Sequence, residues 1–205
     1  MSNSPLSPGL FRTPFSREYW KAAVSEVKNL KMLMLAALFV ALRIVIAAFF
    51  IPVGENMRIY FSFFVNALGS LIYGPVVALM TGFAADIIGF LLQPTGAFFP
   101  GYTLSTMMGA FLYALFFYRA RITWLRVFLG KASVNIFVNI LMGSLWSAII
   151  YGKGYYYYLV KSVIKNLSLL PLEALVLIVF FQLVLTPTAA AGIAPRQPTA
   201  RIPLW

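Results

Sequence analysis

Six apolar segments succeed one another along this chain, at about residues 30–51, 59–73, 76–92, 102–118, 127–150 and 158–185. Nearly all charged residues fall between them or at their edges. A bilayer core takes roughly 20 residues of helix to cross, and no water-facing surface can be assembled from segments this apolar. The pattern therefore specifies an all-α membrane protein, a six-transmembrane-helix bundle, and excludes a soluble globular domain. Charged residues make up only 10% of the chain, well below the ~25% of soluble domains.

The segments imply one compact unit, 30–185, preceded by a flexible extension, 1–29, rich in Ser, Pro and alternating charge. A loose Pro/Ala/Thr tail follows at 186–205. The extension lacks the apolar core and cleavage site of a signal peptide. Gly74-Pro75 leaves almost no linker between the second and third segments, which must then form a tight hairpin.

Net charge is +11, which in a soluble chain would raise the question of nucleic acid. Here the Lys and Arg residues flank apolar spans, so they report orientation in the lipid bilayer and no nucleic-acid partner is expected. Ten of the sixteen lie on one side of the alternating spans: five before or at the start of the first, Arg119, Arg121 and Arg126 after the fourth, and Arg196 and Arg201 in the tail. The positive-inside rule then makes both termini cytoplasmic, which requires an even number of spans.

Cysteine and histidine are absent, removing thiolate chemistry, imidazole bases and the commonest soft-metal ligands. The five acids stand at least eight residues apart, so no metal site, cofactor or catalytic centre is expected and a membrane-embedded enzyme is a poor fit. A Walker-type phosphate loop is also missing, so any ATP would be used by partners.

Charges inside a span are costly and call for a partner, a cavity or an interfacial escape. Arg43 and Asp86 lie at similar depth below the outer ends of the first and third segments, about 10 Å at 1.5 Å per residue, so a direct ion pair is permitted. Lys131, Asn135, Asn139, Gly143 and Trp146 recur at steps of four, four, four and three along the fifth segment. They form one polar and aromatic stripe, suited to a ligand or to helix–helix adhesion. Ser162, Asn166 and Glu173 share a face of the sixth, with Lys161 and Lys165 beside them. Two cations at a mouth suit a dicarboxylate, although Glu173 could equally be paired internally.

Tyr60, Phe61, Phe63 and Phe64 open the second segment, while Phe98, Phe99 and Tyr102 border a Pro/Gly loop that includes Pro94 and Gly96. Such rings either stack on flat heterocycles or form an interfacial belt. On the first segment Ala37, Ala41 and Ala48 make a small-residue stripe that lets another backbone approach, inside the bundle or from a partner.

Three strings are distinctive: Ala37-Leu-Phe-Val-Ala-Leu-Arg43, Ile51-Pro-Val-Gly-Glu-Asn-Met-Arg58 and Gln93-Pro-Thr-Gly-Ala-Phe-Phe-Pro-Gly-Tyr-Thr-Leu-Ser105, followed by Trp146 and Tyr151-Gly152. From about Lys31 to Val184 the chain resembles the folate-specific substrate-binding subunit, or S component, of energy-coupling factor transporters. It departs from that pattern at Gly143-Ser144 and at Lys161, where Asn-Thr and Arg would be expected.

The resemblance implies a protein of the prokaryotic cytoplasmic membrane that binds its vitamin from outside. It further implies docking on a membrane coupling subunit driven by two ATPases, with Ala37, Ala41 and Ala48 facing that subunit. Ligand-binding candidates are Arg43, Tyr60, Phe61, Phe64, Asp86, Pro94, Gly96, Phe98, Phe99, Tyr102, Asn139, Trp146, Lys161, Lys165, Asn166 and Glu173. Folate suits these residue types, since aromatic walls match its flat rings and cations its glutamate tail; another small vitamin or precursor is the alternative.

Overall fold

Backbone polar groups in hydrocarbon must be satisfied within the chain, and helices do so segment by segment. The computed structural model describes residues 10–11, 13–52, 58–94, 97–199 and 201–204. Its order is α1 (Arg17–Ser25), α2 (Leu30–Ala47), a two-stranded antiparallel ribbon of β1 (Phe50–Pro52) and β2 (Arg58–Tyr60), α3 (Ser62–Leu92), α4 (Pro100–Phe117), α5 (Trp124–Ser133), α6 (Gly143–Tyr151) and α7 (Tyr155–Ala190). A π-helical stretch, Val134–Met142, joins α5 to α6 without a break. Among the described residues four helices are long and apolar enough to cross a membrane: α2, α3, the joined helix Trp124–Tyr151, and α7.

Drawn straight, α3 would be about 46 Å long at 1.5 Å per residue, well beyond a ~30 Å hydrocarbon core. It folds instead at Gly74, whose φ of 77° and ψ of 179° are non-helical. That backbone region belongs almost solely to glycine, and a Cβ there would also lie 2.9 Å from the Tyr118 ring. The two limbs run back along each other through Tyr73. Its ring is so close to Gly69 that an added Cβ would stand 2.7 Å from Cζ, while its hydroxyl accepts a 3.2 Å hydrogen bond from Thr81 Oγ1. Residues 69 and 81 would be about 18 Å apart on a straight helix. The hairpin read from Gly74-Pro75 is therefore present.

The first limb of α3 lies at the centre, with Ala67, Leu68, Leu71 and Ile72 packed among Tyr113 and Phe117 of α4, Val127 of α5, and Leu177 and Phe181 of α7. The second limb lies against α4 closely enough that a Cβ on Gly82 would come within 2.8 Å of Met107 Cα. By contrast α2 stays peripheral, burying only Ala36 and Val40.

Two expectations change at the chain ends. The 1–29 stretch, expected to be flexible, contains α1, whose Tyr19 and Ala23 are buried. Tyr19 donates a 2.9 Å hydrogen bond to the Ala114 carbonyl near the end of α4, and burial pushes its phenol pKa above the ordinary tyrosine value. Glu26, 4% exposed, pairs with Arg119 at 2.9 Å and accepts from the Tyr118 hydroxyl at 3.0 Å. The 186–205 stretch, expected to be loose, first continues α7 to Ala190. It then folds back, with Gln197 Oε1 accepting from Ile122 N–H, the Pro203 and Leu204 carbonyls accepting from Trp124 and Leu125 N–H, and Gln182 Oε1 accepting from Ile202 N–H. Neither end has the long apolar period that identifies a span, but each supplies polar groups spaced to satisfy exposed backbone. Residues 1–9 lie outside the described part.

Candidate functional site

At the end opposite the tails, the loop after α3 leads into α4 through Phe99, with Pro100 opening the helix where its missing N–H is of no consequence. Phe99 stands edge-on to both Tyr102 and Trp146, each at 5.6 Å between centroids, and Phe98 edge-on to Phe90 at 5.2 Å. Gly101 permits this crowding, because a Cβ there would meet the Phe99 ring and lie 2.8 Å from the Trp146 indole. Trp146 Nε1 donates to Ser105 Oγ at 2.8 Å, fixing the plane of the indole. Tyr102 and Phe98 remain 42% and 44% exposed, leaving ring surface open for a further planar group. Pro94 is exposed in the same loop, and Gly96 lies outside the described residues.

Asp86 accepts hydrogen bonds from Thr103 Oγ1 at 2.6 Å and Thr106 Oγ1 at 3.4 Å. The direct Arg43–Asp86 pair permitted by depth is not formed among the described residues: Arg43, half-buried on α2, has Asp86 and Tyr73 as electrostatic neighbours. Depth fixes one coordinate of a side chain, whereas helix rotation, set by packing, decides its partner. Thr103, Ser105 and Thr106 were missed as individual site residues. Their signal was a run of hydroxyls directly after the Pro/Gly loop.

A second polar group lies between the joined helix and α7. Asn135, fully buried, donates through Nδ2 to Glu173 Oε2 at 3.0 Å and to the Asn166 carbonyl at 3.3 Å, and its Oδ1 accepts from Asn139 Nδ2 at 3.0 Å. Ser162 Oγ donates to the Asn139 carbonyl at 3.0 Å, and Asn166 Nδ2 donates to the Ser162 carbonyl and hydroxyl at 2.9 and 3.1 Å. The π-helical stretch holds both Asn135 and Asn139. Such wide turns leave backbone free to bend around a site. Lys131 Nζ lies 3.0 Å from Glu173 Oε2 and 4.4 Å from the Phe63 ring centre.

That ion pair is enclosed, at 4% and 17% side-chain exposure. Breaking it from one side strands a charge, at a cost of about 3–5 kcal/mol. Lys131→Ala should therefore lower the thermal midpoint of the purified protein sharply, and adding Glu173→Gln should restore most of the loss. A single variant as stable as its parent would show that Glu173 needs no counter-charge.

Nearer the surface, Lys161 Nζ donates to the Tyr157 hydroxyl at 3.3 Å, and Lys153 and Lys161 lie 5.6 and 5.2 Å from its ring centre. Lys165 is half-buried one turn deeper. Phe61 stacks parallel to Phe64 at 6.3 Å, and Phe64 continues against Phe63 and Phe180. Tyr60 belongs to β2, with its side chain outside the described part. The structure thus gathers Phe99, Tyr102 and Trp146 in one place and Asn139, Asn166 and Glu173 in another, while Asp86 meets α4 through Thr103 and Thr106. The joined helix carries residues of both.

Ala37, Ala41 and Ala48 are exposed, among Met34, Leu38, Leu42 and Val45, on a side of α2 that no other element covers among the described residues. Among the described residues their small-residue stripe packs against no other helix of the bundle. Among the described residues no group of His, Cys, Asp or Glu is placed to hold a metal ion.

A family model described as ECF transporter, substrate-specific component matches residues 31–194. The folate transporter FolT of Clostridium novyi (strain NT) is 31% identical over 151 residues, covering 74% of this chain and 88% of that protein. FolT of Leuconostoc mesenteroides subsp. mesenteroides is 29% identical over 150 residues, covering 70% and 80%. Among solved structures, a crystal structure of FolT bound with folic acid aligns with a TM-score of 0.65 at 28% identity, over 72% of this chain and 89% of that one.

Proposed function

The chain belongs to the substrate-specific component family of ECF transporters, and on that premise we propose that it binds folate tightly at its outer face and delivers it to an ATP-driven uptake complex. It is a multi-pass membrane protein and a transporter component, not an enzyme. In this reading six spans cross the cell membrane: α2, the two limbs of α3, α4, the joined helix and α7. Both termini are cytoplasmic, because the basic residues collect at the end where the tails dock.

Arg43, Lys161 and Lys165 attract the carboxylates of the glutamate tail. Tyr60, Phe61, Phe64, Phe98, Phe99, Tyr102 and Trp146, with the Pro94 and Gly96 loop, enclose the rings. Asp86, Asn139, Asn166 and Glu173 offer acceptors and donors to the pterin edge, whose amide and amino groups need both. Ala37, Ala41 and Ala48 meet the transmembrane coupling subunit, and two ATPase subunits supply the energy. The observation that carries this reading is the aromatic group of Phe99, Tyr102 and Trp146 at the start of α4, on the same helix whose Thr103 and Thr106 hold the acceptor-only carboxylate of Asp86, at the end of the bundle away from the tails.

Folate titrated into the purified chain should bind saturably at one site and quench Trp146 fluorescence. A flat vitamin without the glutamate tail, such as riboflavin, should not compete. Saturable binding of another vitamin with none of folate would replace the ligand and keep the family. Absence of any saturable ligand would remove the receptor reading itself.

A further inference from the structure

The family match begins at residue 31, so α1 lies outside it and needs its own explanation. The buried side of α1 is fully accounted for by Tyr19 and Ala23. Its other residues are sorted by kind. At 100° per residue, Trp20, Val24, Arg17 and Lys21 occupy one continuous arc of about 100°. In that order they run from apolar to basic, and all four are exposed, Trp20 at 38% and Val24 at 54%. Glu18 falls outside the arc, and Phe15, 91% exposed, precedes the helix on the same end of the bundle.

The direction of this arc follows from one contact. Trp20 packs on Phe111 of α4 at 6.3 Å, and Phe111 is nearly one turn further into the bundle than Ala114, to which Tyr19 is bonded. The indole therefore continues the apolar flank of a helix already in the membrane, and Arg17 and Lys21 lie beyond it, where headgroups begin. Apolar residues on the membrane side with cations beside them are the arrangement of a helix lying in a bilayer interface.

We propose that α1 is an interfacial anchor that inserts Trp20 and Val24 at the acyl boundary and holds anionic phospholipid headgroups with Arg17 and Lys21. The occupant is a lipid surface rather than a protein groove because the arc joins a membrane-facing flank on one side and carries only positive charge on the other. Its leaflet, the cytoplasmic one, follows from the orientation proposed above. Lys28, exposed just past the helix, adds to the same field.

The chain has no cysteine, so a nitroxide on Val24→Cys reports from a single position. The full chain would be reconstituted in nanodiscs of phosphatidylcholine alone and of phosphatidylcholine mixed equally with phosphatidylglycerol. Collision with oxygen and with a water-soluble nickel chelate would then be compared. In the anionic discs the label should be accessible to oxygen and shielded from nickel, and Arg17→Gln with Lys21→Gln should raise nickel accessibility several-fold. A label open to nickel in anionic discs, or a depth that both substitutions leave unchanged, would overturn the anchor. Folate titration of the same samples separates the two readings: lost folate binding in the parent counts against the ligand assignment whatever the label's depth.

Discussion

Replacing Ala37 and Ala41 together by tryptophan is expected to abolish folate uptake by cells carrying the complete transporter while leaving folate affinity of the isolated chain within about twofold, ~0.4 kcal/mol. Small residues let two helix backbones approach closely, and a large ring at such a position separates them. Among the described residues the two alanines are exposed and α2 buries only Ala36 and Val40, so an indole at either position displaces no packed side chain. Coupling should therefore fail without damage to the site. The measurements are labelled-folate accumulation in cells and a binding titration on the purified variant. Affinity lost in parallel with uptake would mean that the alanines support the bundle; uptake unchanged would mean that the coupling subunit docks elsewhere.

Arg43→Ala is the second large effect. A guanidinium half-buried within a span faces little competing water, so its hydrogen bonds to a carboxylate are worth far more than on a surface. Removing one partner of such a buried pair costs about 2–5 kcal/mol, roughly a thirtyfold to several-thousandfold loss of folate affinity. Arg43→Lys should fall between the two, keeping the charge and losing the planar fork. Among the described residues Asp86 accepts hydrogen bonds from Thr103 and Thr106 and acts on Arg43 as an electrostatic neighbour without a direct ion pair, which favours this role. Isothermal titration would decide: affinity unchanged in Arg43→Ala removes that side chain from the site.

Segment positions were readable from the sequence because apolar runs and their breakers obey few rules. The Gly74-Pro75 turn follows from residue types with restricted backbones, and the apolar segments read at about 102–118 and 127–150 coincide closely with α4 and the joined helix Trp124–Tyr151. The extent of α7 was less readable. It begins at Tyr155 and runs to Ala190, beyond the apolar core at both ends, because helix continues wherever nothing breaks it.

Pairings were harder to read. Glu173 was placed on a face with Ser162 and Asn166, which is correct, yet its closest partners are Lys131 and Asn135 on another helix. Asn135 lies in a π-helical stretch that no periodicity of four announced. The stripe from Lys131 to Trp146 was drawn as regular α-helix, and the wider turns redistribute its members: Asn135 goes to full burial and Trp146 to the Phe99 side. Helix α1 escaped notice for a different reason. Nine residues of which only Tyr19 and Ala23 are buried carry too little apolar pattern to stand out from a charged extension.

The docked ends have a consequence for the shape of the whole chain as a path. Phe11 N–H bonds to the Arg119 carbonyl, and Trp124 N–H to the Pro203 carbonyl, so the first and last described segments clasp a stretch spanning no more than about 18 Å at full extension. The described chain, from Leu10 to Leu204, is almost a ring, fastened at one buckle. A short peptide could join the described segment at Leu10 to that at Leu204, and the loop at Gly152 could then be opened, without altering which helices neighbour which.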